Sequence, residues 1–215
     1  MSPFISFEGI DGCGKTTQIQ FLEQFLCARG VPVVVAREPG GTPVGESIRL
    51  VLLDSRTTGL RPLSELLLYY ASRHQNLYQN ILPALENGLW VLCDRFADAS
   101  MAYQGYGRGI DLAVVEVLNK ICIDSRMPNL TILIDIDPRI SLVRARSRNR
   151  QVVVDEGRFE TESLEFYDRV RQGYLEMAGK EPMRFRIVHG DQSSDALHQE
   201  ILKIITPMME VQSAV

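Results

Sequence analysis

The chain has 215 residues, enough to bury a substantial core in one large α/β domain, and no Pro/Gly/Ser linker, repeat or low-complexity tract divides it. A hydrophobic fraction of 45%, a charged fraction of 23% and a net charge of −4 are those of an ordinary globular protein and argue against a general affinity for nucleic acid. No apolar stretch approaches the roughly 20 residues of a membrane span, no secretory signal opens the chain, and Cys13, Cys27, Cys93 and Cys122 lack disulfide or zinc spacing, so a cytoplasmic protein with reduced thiols and no membrane partner is expected.

The first apolar run, 3–7, reads as a strand through Phe4, Ile5 and Phe7. It runs into GIDGCGKT at 9–16, a GxxxxGK[ST] phosphate loop set between strand and amphipathic helix, which points to a nucleoside triphosphate. Glycines at 9, 12 and 14 let the backbone of Gly9, Ile10, Asp11, Gly12, Cys13 and Gly14 turn its N–H groups inward around phosphates. Lys15 supplies a point charge for the β- and γ-phosphates. Thr16 offers a hydroxyl for Mg²⁺, and Thr17 continues a helix from Lys15 to Ala28 with Ile19, Leu22, Phe25 and Leu26 on its apolar side. Cys13 is open to two readings, a thiol of lowered pKa exposed to alkylation or a core side chain whose N–H alone faces phosphate.

A second strand spans 31–36, and REPGGT at 37–42 reads as a mobile loop before a helix at 43–53. A long helix from Leu63 to Leu85 stops at Asn87-Gly88. On it, Tyr69 and Arg73 stand four residues apart on one face, an aromatic ring beside a donor as a nucleobase pocket needs, though the pair is common on ordinary helices. Leu66, Leu67 and Tyr70 suit either a subunit interface or the core. The strand at 89–93 ends in Asp94-Arg95. Asp94 is placed to hold Mg²⁺ through a water and Arg95 to bridge donor and acceptor phosphates, with a plain strand-end ion pair as the alternative.

A helix at 111–124, a strand at 130–136 and a helix at 138–148 follow. Residues 147–158 combine charge and glycine and read as a mobile lid, carrying part of a cluster of Arg144, Arg146, Arg148, Arg150 and Arg158. Guanidinium forks suit the spreading charge of phosphoryl transfer, but arginines at every second position cannot share one helix face, so some must point to solvent. The chain closes with a helix at 160–178, a strand at 184–188 and a helix at 194–209. The segment from Asp191 to Ser193 follows the last strand and is the candidate for contacts to the donor base. Five strands alternating with helices predict a parallel five-stranded sheet flanked by helices, an α/β P-loop NTPase fold of three layers, with ligands at the carboxyl ends of the strands.

FEGIDGCGKTTQ, REPGGT, the ExIR of Glu46 to Arg49, YYASR, DRFADASMAYQGYGR and the arginine-rich segment before RFE occur in one chain, in that order. Together they resemble the bacterial thymidylate kinases, P-loop nucleoside monophosphate kinases, across nearly the whole length. The resemblance implies a homodimer that transfers the ATP γ-phosphoryl to dTMP, with Mg²⁺. It implies Tyr69 stacking on thymine, Arg73 donating to its O4, and Gln104, in the segment 100–104 with Ser100, helping to recognise the base. Arg49 and Arg95 would hold the acceptor phosphate, and Asp11 would lie near it and the 3′-hydroxyl. Tyr103 would stand where a ribose 2′-hydroxyl would collide, while Glu38-Pro39, often a cis pair in the family, would border the acceptor. One subgroup keeps an arginine where this chain has Gly12, so the catalytic arginine is expected from the lid, with Arg148 first and Arg146 second, beside Lys15 and Arg95. A GTPase is disfavoured because Asn119-Lys120 is followed by Ile121 and Cys122 rather than completing NKxD. A kinase for UMP, CMP or shikimate and a silent nucleotide-binding module are the other readings.

Overall fold

A computed structural model of the protein describes residues 2–124, 126–149 and 157–213, the side chains of Arg146, Arg148, Asn149, Glu160 and residues 210–213 excepted. Arg150 and the rest of 150–156 in the expected lid, and the side chains of Arg146 and Arg148, lie outside the described residues.

The five strands are β1 (Phe4–Glu8), β2 (Val33–Arg37), β3 (Trp90–Asp94), β4 (Leu130–Asp135) and β5 (Phe185–His189). They pair in parallel in the order β2-β3-β1-β4-β5, so β1, with the phosphate loop at its carboxyl end, is central. Every side chain of β1 is buried, as expected of a strand covered on both faces. Ile5, Phe7, Leu92, Ile132 and Ile134 join a core with Ile19, Leu22 and Leu26 of α1 (Lys15–Cys27). Phe4, Val91 and Cys93 point the other way, onto Leu77, Ile81, Phe96 and Ile123.

The remaining helices follow the sequence expectations with four differences. α2 (Pro43–Leu53) begins as its sequence suggests, with Thr42 capping the Gly45 N–H and proline at the first turn. The expected 63–85 helix is α3 (Pro62–Asn76), a wide π turn (Leu77–Ile81) and α4 (Leu82–Glu86). Pro83 has no N–H to donate to the turn before it, and the wider turn lies just there. The stretch after β3, which the sequence reading left without structure, is helical: α5 (Ala97–Ser100) passes into a second wide turn (Met101–Gly107). Then come α6 (Leu112–Ile123), α7 (Pro138–Asn149), a 3₁₀ turn (Gly157–Thr161), α8 (Leu164–Lys180) and α9 (Ser194–Ser213). Among the described residues no helix is long and apolar enough to cross a membrane.

The other two differences concern packing. Leu66 and Tyr70 are core, closed over Val115 of α6, with the Tyr70 hydroxyl donating to Asn119 Oδ1 at 2.7 Å. The outward apolar face is instead Leu63 and Leu67 of α3 with Val114, Val117 and Ile121 of α6, the last 70% exposed. The 38–42 segment is not a free loop: Glu38 and Pro39 are buried and the Gly40 N–H donates to Ser72 Oγ at 3.0 Å. The 101–107 turn lies hard against α8. A methyl group at Gly107 would sit 2.6 Å from the Phe166 ring, and one at Gly173 would meet the ring of Tyr106. Only hydrogen at both positions allows this approach, which brings Tyr103 and Gln104 to the sheet edge.

Candidate active site

The carboxyl ends of β1 and β3, the phosphate loop and the N-termini of α1 and α9 surround one cleft of about 760 Å³. Gly9, Gly12 and Gly14 take φ of 132°, 84° and 104°, the left-handed geometry the motif demands. A side chain at Gly12 would collide with the Ser141 carbonyl of α7, so the loop is closed from behind. Lys15 is folded back, donating from Nζ to the Gly9 and Ile10 carbonyls at 3.0 and 3.2 Å. Thr16 Oγ1 donates to Asp94 Oδ2 at 2.8 Å, a hydroxyl and a carboxylate side by side at the mouth of the loop. Cys13 is buried in the core, so the reactive-thiol reading fails on access, and Cys27 is the exposed thiol.

Arg95 follows Asp94 with φ of 70°, the left-handed region in which a side chain is strained by ~1–3 kcal/mol. Its guanidinium is held on several sides. NH1 donates to the Gly9 carbonyl at 3.0 Å and to Tyr174 Oη at 3.3 Å, and NH2 to Asp11 Oδ1 at 2.8 Å and Tyr103 Oη at 2.9 Å. Tyr103 in turn donates its hydroxyl to Asp11 Oδ2 at 3.0 Å. Burial pushes the Asp11 carboxyl up, but Arg95 and Lys15 outweigh it and bring the group down to about 2. Below this layer Glu8 is fully buried, accepting from the Phe96 N–H at 2.7 Å and from Tyr174 Oη at 2.7 Å. Burial, then the nearby Asp98 charge, raises the Glu8 carboxyl to about 8 against the opposing pull of Arg95.

At one end of the cleft stand Tyr69, Ser100, Tyr103 and Gln104, with Glu38, Pro39 and Arg49 along the side. Arg49 donates to the Pro39 carbonyl at 2.8 Å, and the Glu38-Pro39 bond is cis. Arg73 stands one layer behind this wall. It is 1% exposed, pairs with Glu38 Oε2 at 2.6 Å and donates to Ser100 Oγ and the Phe96 carbonyl at 2.9 Å each. At the other end are Gln192, Ser193 and Ser194, with Arg144 donating to the Gly190 carbonyl at 3.0 Å. Arg158 faces away from the cleft, bonded to the Leu52 carbonyl and to Glu65. Among the described residues no histidine lines the cleft: His74 leans on Tyr78, and His198 packs between Phe21 and Phe25.

The structure thus brings Asp11, Gly12, Gly14, Lys15, Thr16, Thr17, Asp94 and Arg95 to one cleft with 38–39, Arg49, Tyr69, Ser100, Tyr103 and Gln104, while the Ile10 and Cys13 side chains are core. Sequence reasoning missed Glu8, Glu65, Phe159, Tyr167 and Tyr174. A carboxylate ending a mostly apolar central strand was a usable signal for Glu8, and Tyr167 and Tyr174, seven residues apart on one helix face, for the two hydroxyls that meet the Arg95–Asp11 pair, Tyr174 on Arg95 and Tyr167 donating to Asp11 Oδ2 at 3.3 Å.

The sequence model of the family described as thymidylate kinase matches residues 7–201. Thymidylate kinase of Geobacter sp. strain M21 is 49% identical over 207 residues, 94% of this chain and 92% of the relative. That of Trichlorobacter lovleyi is 52% identical over 186 residues, 86% of this chain and 88% of the relative. The crystal structure of thymidylate kinase from Ehrlichia chaffeensis superposes with a TM-score of 0.76 at 38% identity, covering 95% of this chain and 98% of that one.

Glu8 makes stability depend on pH. The folded state keeps a proton there up to about 8, whereas the unfolded carboxyl loses it near its ordinary 4.5. A state that binds the extra proton when folded loses stability as pH rises through that window. Glu8→Gln, which copies the protonated form, should remove this contribution, so the urea midpoint of the parent falls relative to the variant from pH 5 to pH 8. A gap between the two that stays constant across the window would overturn the assignment.

Proposed function

The chain belongs to the thymidylate kinase family, and from that premise we propose that it phosphorylates dTMP to dTDP with ATP, the two nucleotides meeting end to end across the phosphate loop. The observation that carries this is the two-ended cleft, with Gln192 to Ser194 on one side of the loop and Tyr69, Ser100, Tyr103 and Gln104 on the other. ATP lies along the loop, its phosphates taking the Lys15 ammonium from the Gly9 and Ile10 carbonyls, with the 192–194 segment and Arg144 beside its base. dTMP lies opposite, with Tyr69 against the ring, Ser100 and Gln104 at its edge and Arg73 reaching O4 from behind Ser100. Tyr103 stands where a 2′-hydroxyl would fall, Asp11 is close to the sugar, and Arg49, Arg95 and the Glu38-Pro39 segment surround the acceptor phosphate. This is one domain acting in the cytoplasm, where its nucleotide substrates are.

A phosphate acceptor is already an anion at neutral pH, so the reaction needs positioning and charge neutralisation rather than a base. Arg95 is preset for this, since Asp11, Tyr103 and the Gly9 carbonyl hold its fork before substrate arrives. The hard oxygen pair of Thr16 and Asp94 fits Mg²⁺, which favours one or two protein oxygens with phosphates and water. When bound there it neutralises charge on the transferring phosphoryl. Among the described residues no larger cluster of His, Cys, Asp or Glu competes for it. Gly12 leaves the loop without an arginine of its own, and Arg146 and Arg148 are the residues we assign to supply one from the lid.

The outward apolar face of Leu63 and Leu67 with Val114, Val117 and Ile121 supports a homodimer through α3 and α6. It should sediment at micromolar concentration at twice the 24.2 kDa of the chain, and a monomeric mass would refute the dimer.

A substrate panel tests the acceptor end. dTMP should exceed both ribo-TMP and CMP in kcat/KM by at least about 10²-fold, because cytosine leaves buried polar groups unpaired and a ribose 2′-hydroxyl collides with Tyr103. Equal values for dTMP and CMP would sink the assignment. An alanine and lysine scan of Arg144, Arg146, Arg148 and Arg150 tests the lid. Removing the responsible fork should lower kcat by on the order of 10³-fold with little change in dTMP affinity, and lysine should restore only part of it. If every alanine variant keeps kcat within about threefold, under ~1 kcal/mol, the catalytic charge comes from Lys15 and Arg95 alone.

A further inference from the structure

Glu65 lies on α3, its side chain 2% exposed, and none of the steps above uses it. Its carboxylate is a meeting point for three elements. Gln104 Nε2 donates to Oε1 at 2.9 Å from the 101–107 turn, and Arg108 Nε reaches the same oxygen at 3.2 Å. Arg158 NH2 donates to Oε2 at 2.7 Å from the 3₁₀ turn, with Arg108 NH2 at 3.3 Å. Arg108 is shared with Glu162 at 2.6 Å. Gln104 itself is 1% exposed and touches the cleft.

The two ends of a glutamine amide have nearly the same shape, so packing alone does not decide which faces the cleft; hydrogen-bond chemistry does. An ionised carboxylate only accepts. With two guanidinium groups on it Glu65 is ionised: burial pushes its carboxyl up, but Gln104, Arg108 and Arg158 outweigh burial and hold it below the ordinary range. The amide nitrogen must therefore face Glu65, since a flipped amide would set carbonyl oxygen against carboxylate in a buried place. Oε1 is left for the cleft.

We propose that Glu65 is a specificity-positioning residue: by holding the Gln104 amide it presents Oε1 as an acceptor to the edge of the pyrimidine ring and selects bases that carry a hydrogen at N3. Thymine and uracil have that hydrogen. Cytosine offers a lone pair at N3 and meets oxygen with nitrogen, neither able to donate. This deepens the proposed function and rests on dTMP being the acceptor. The discrimination is set by a charge that never touches substrate, and it is tied through Arg158 to the chain leaving the lid.

Glu65→Gln is the direct test. Oε2 takes two guanidinium donors, from Arg158 and Arg108, whereas Oε1 takes the Gln104 amide and only the longer Arg108 Nε contact, so the new NH₂ takes the place of Oε1, gives up that one contact and faces Gln104, which must then turn its oxygen inward and its nitrogen to the cleft. The ratio of kcat/KM for dTMP over dCMP should fall about tenfold or more, through KM, with kcat for dTMP within about threefold. In a Gln104→Met background the same change should have no further effect on the ratio, because the residue through which Glu65 acts is gone. A ratio within twofold of the parent, or an equal drop in the Gln104→Met background, overturns the proposal. If Glu65→Gln gives no cooperative urea transition, Glu65→Asp takes its place: it keeps the charge for both arginines and withdraws the carboxylate from Gln104. An unchanged ratio there overturns the proposal equally. A parent enzyme that does not phosphorylate dTMP would sink the functional reading itself, a separate outcome.

Discussion

A guanidinium taken out of water beside a phosphate loop costs several kcal/mol unless each donor finds an acceptor, and in this protein that demand organises the carboxyl edge of the sheet. Arg95 finds acceptors on the loop (Gly9 and Asp11), on the 101–107 turn (Tyr103) and on α8 (Tyr174). Those groups belong to segments far apart in sequence. They meet only because the 101–107 turn lies within hydrogen contact of α8 at Gly107 and Gly173. The backbone at Arg95 takes a strained left-handed turn to aim the side chain inward, and such strain persists where surrounding bonds over-determine it.

The same construction recurs around the cleft. A neutral or paired group faces the ligand space, and a buried charge stands behind it to fix its direction. Arg73 stands behind Ser100 and Glu65 behind Gln104, while Glu8, kept protonated by its burial, holds Tyr174 and through it Arg95. Each hidden charge is itself held by partners on other elements, as with Arg73 and Glu38 at 2.6 Å. Breaking such a pair by removing one partner costs ~3–5 kcal/mol because the other is left buried and uncompensated. Side chains fixed this way lose little freedom when substrate binds, which is how a site gains orientation without reorganising.

The sheet was legible because its strands are short apolar, β-rich runs between helical patterns, near-continuous in β1, β3 and β4, which are covered on both faces, and all five fell within two residues of their observed ends. The phosphate loop was legible because few sequences place glycines and lysine at that spacing after a strand. The helix at 97–107 was not, since Gly105 and Gly107 weaken helical propensity and its apolar residues serve two different neighbours. Leu66 and Tyr70 were ambiguous between core and interface because periodicity locates an apolar face without saying what covers it. Glu8 and Glu65 escaped for a different reason. A lone carboxylate carries no spacing pattern, and its meaning comes entirely from partners that the fold brings to it from 39 to 166 positions away along the chain, separations set by topology rather than by any local motif.

The cations of the cleft add a last constraint. Lys15 rests on two carbonyls rather than on a carboxylate, and Arg144 lies nearer the Gly190 carbonyl, at 3.0 Å, than the Asp191 carboxylate, at 3.9 Å. A carbonyl dipole satisfies the donor without cancelling its charge. Arriving phosphate therefore exchanges a neutral acceptor for an anionic one, and charge-assisted bonds are roughly twice as strong as neutral ones. Arg95 differs in being paired with Asp11, whose charge stays in place down to about pH 2. That pair holds the fork still and lowers its net pull on an anion, which suits the place we propose for Arg95 beside the acceptor, where it would orient a phosphate that leaves as product rather than trap it.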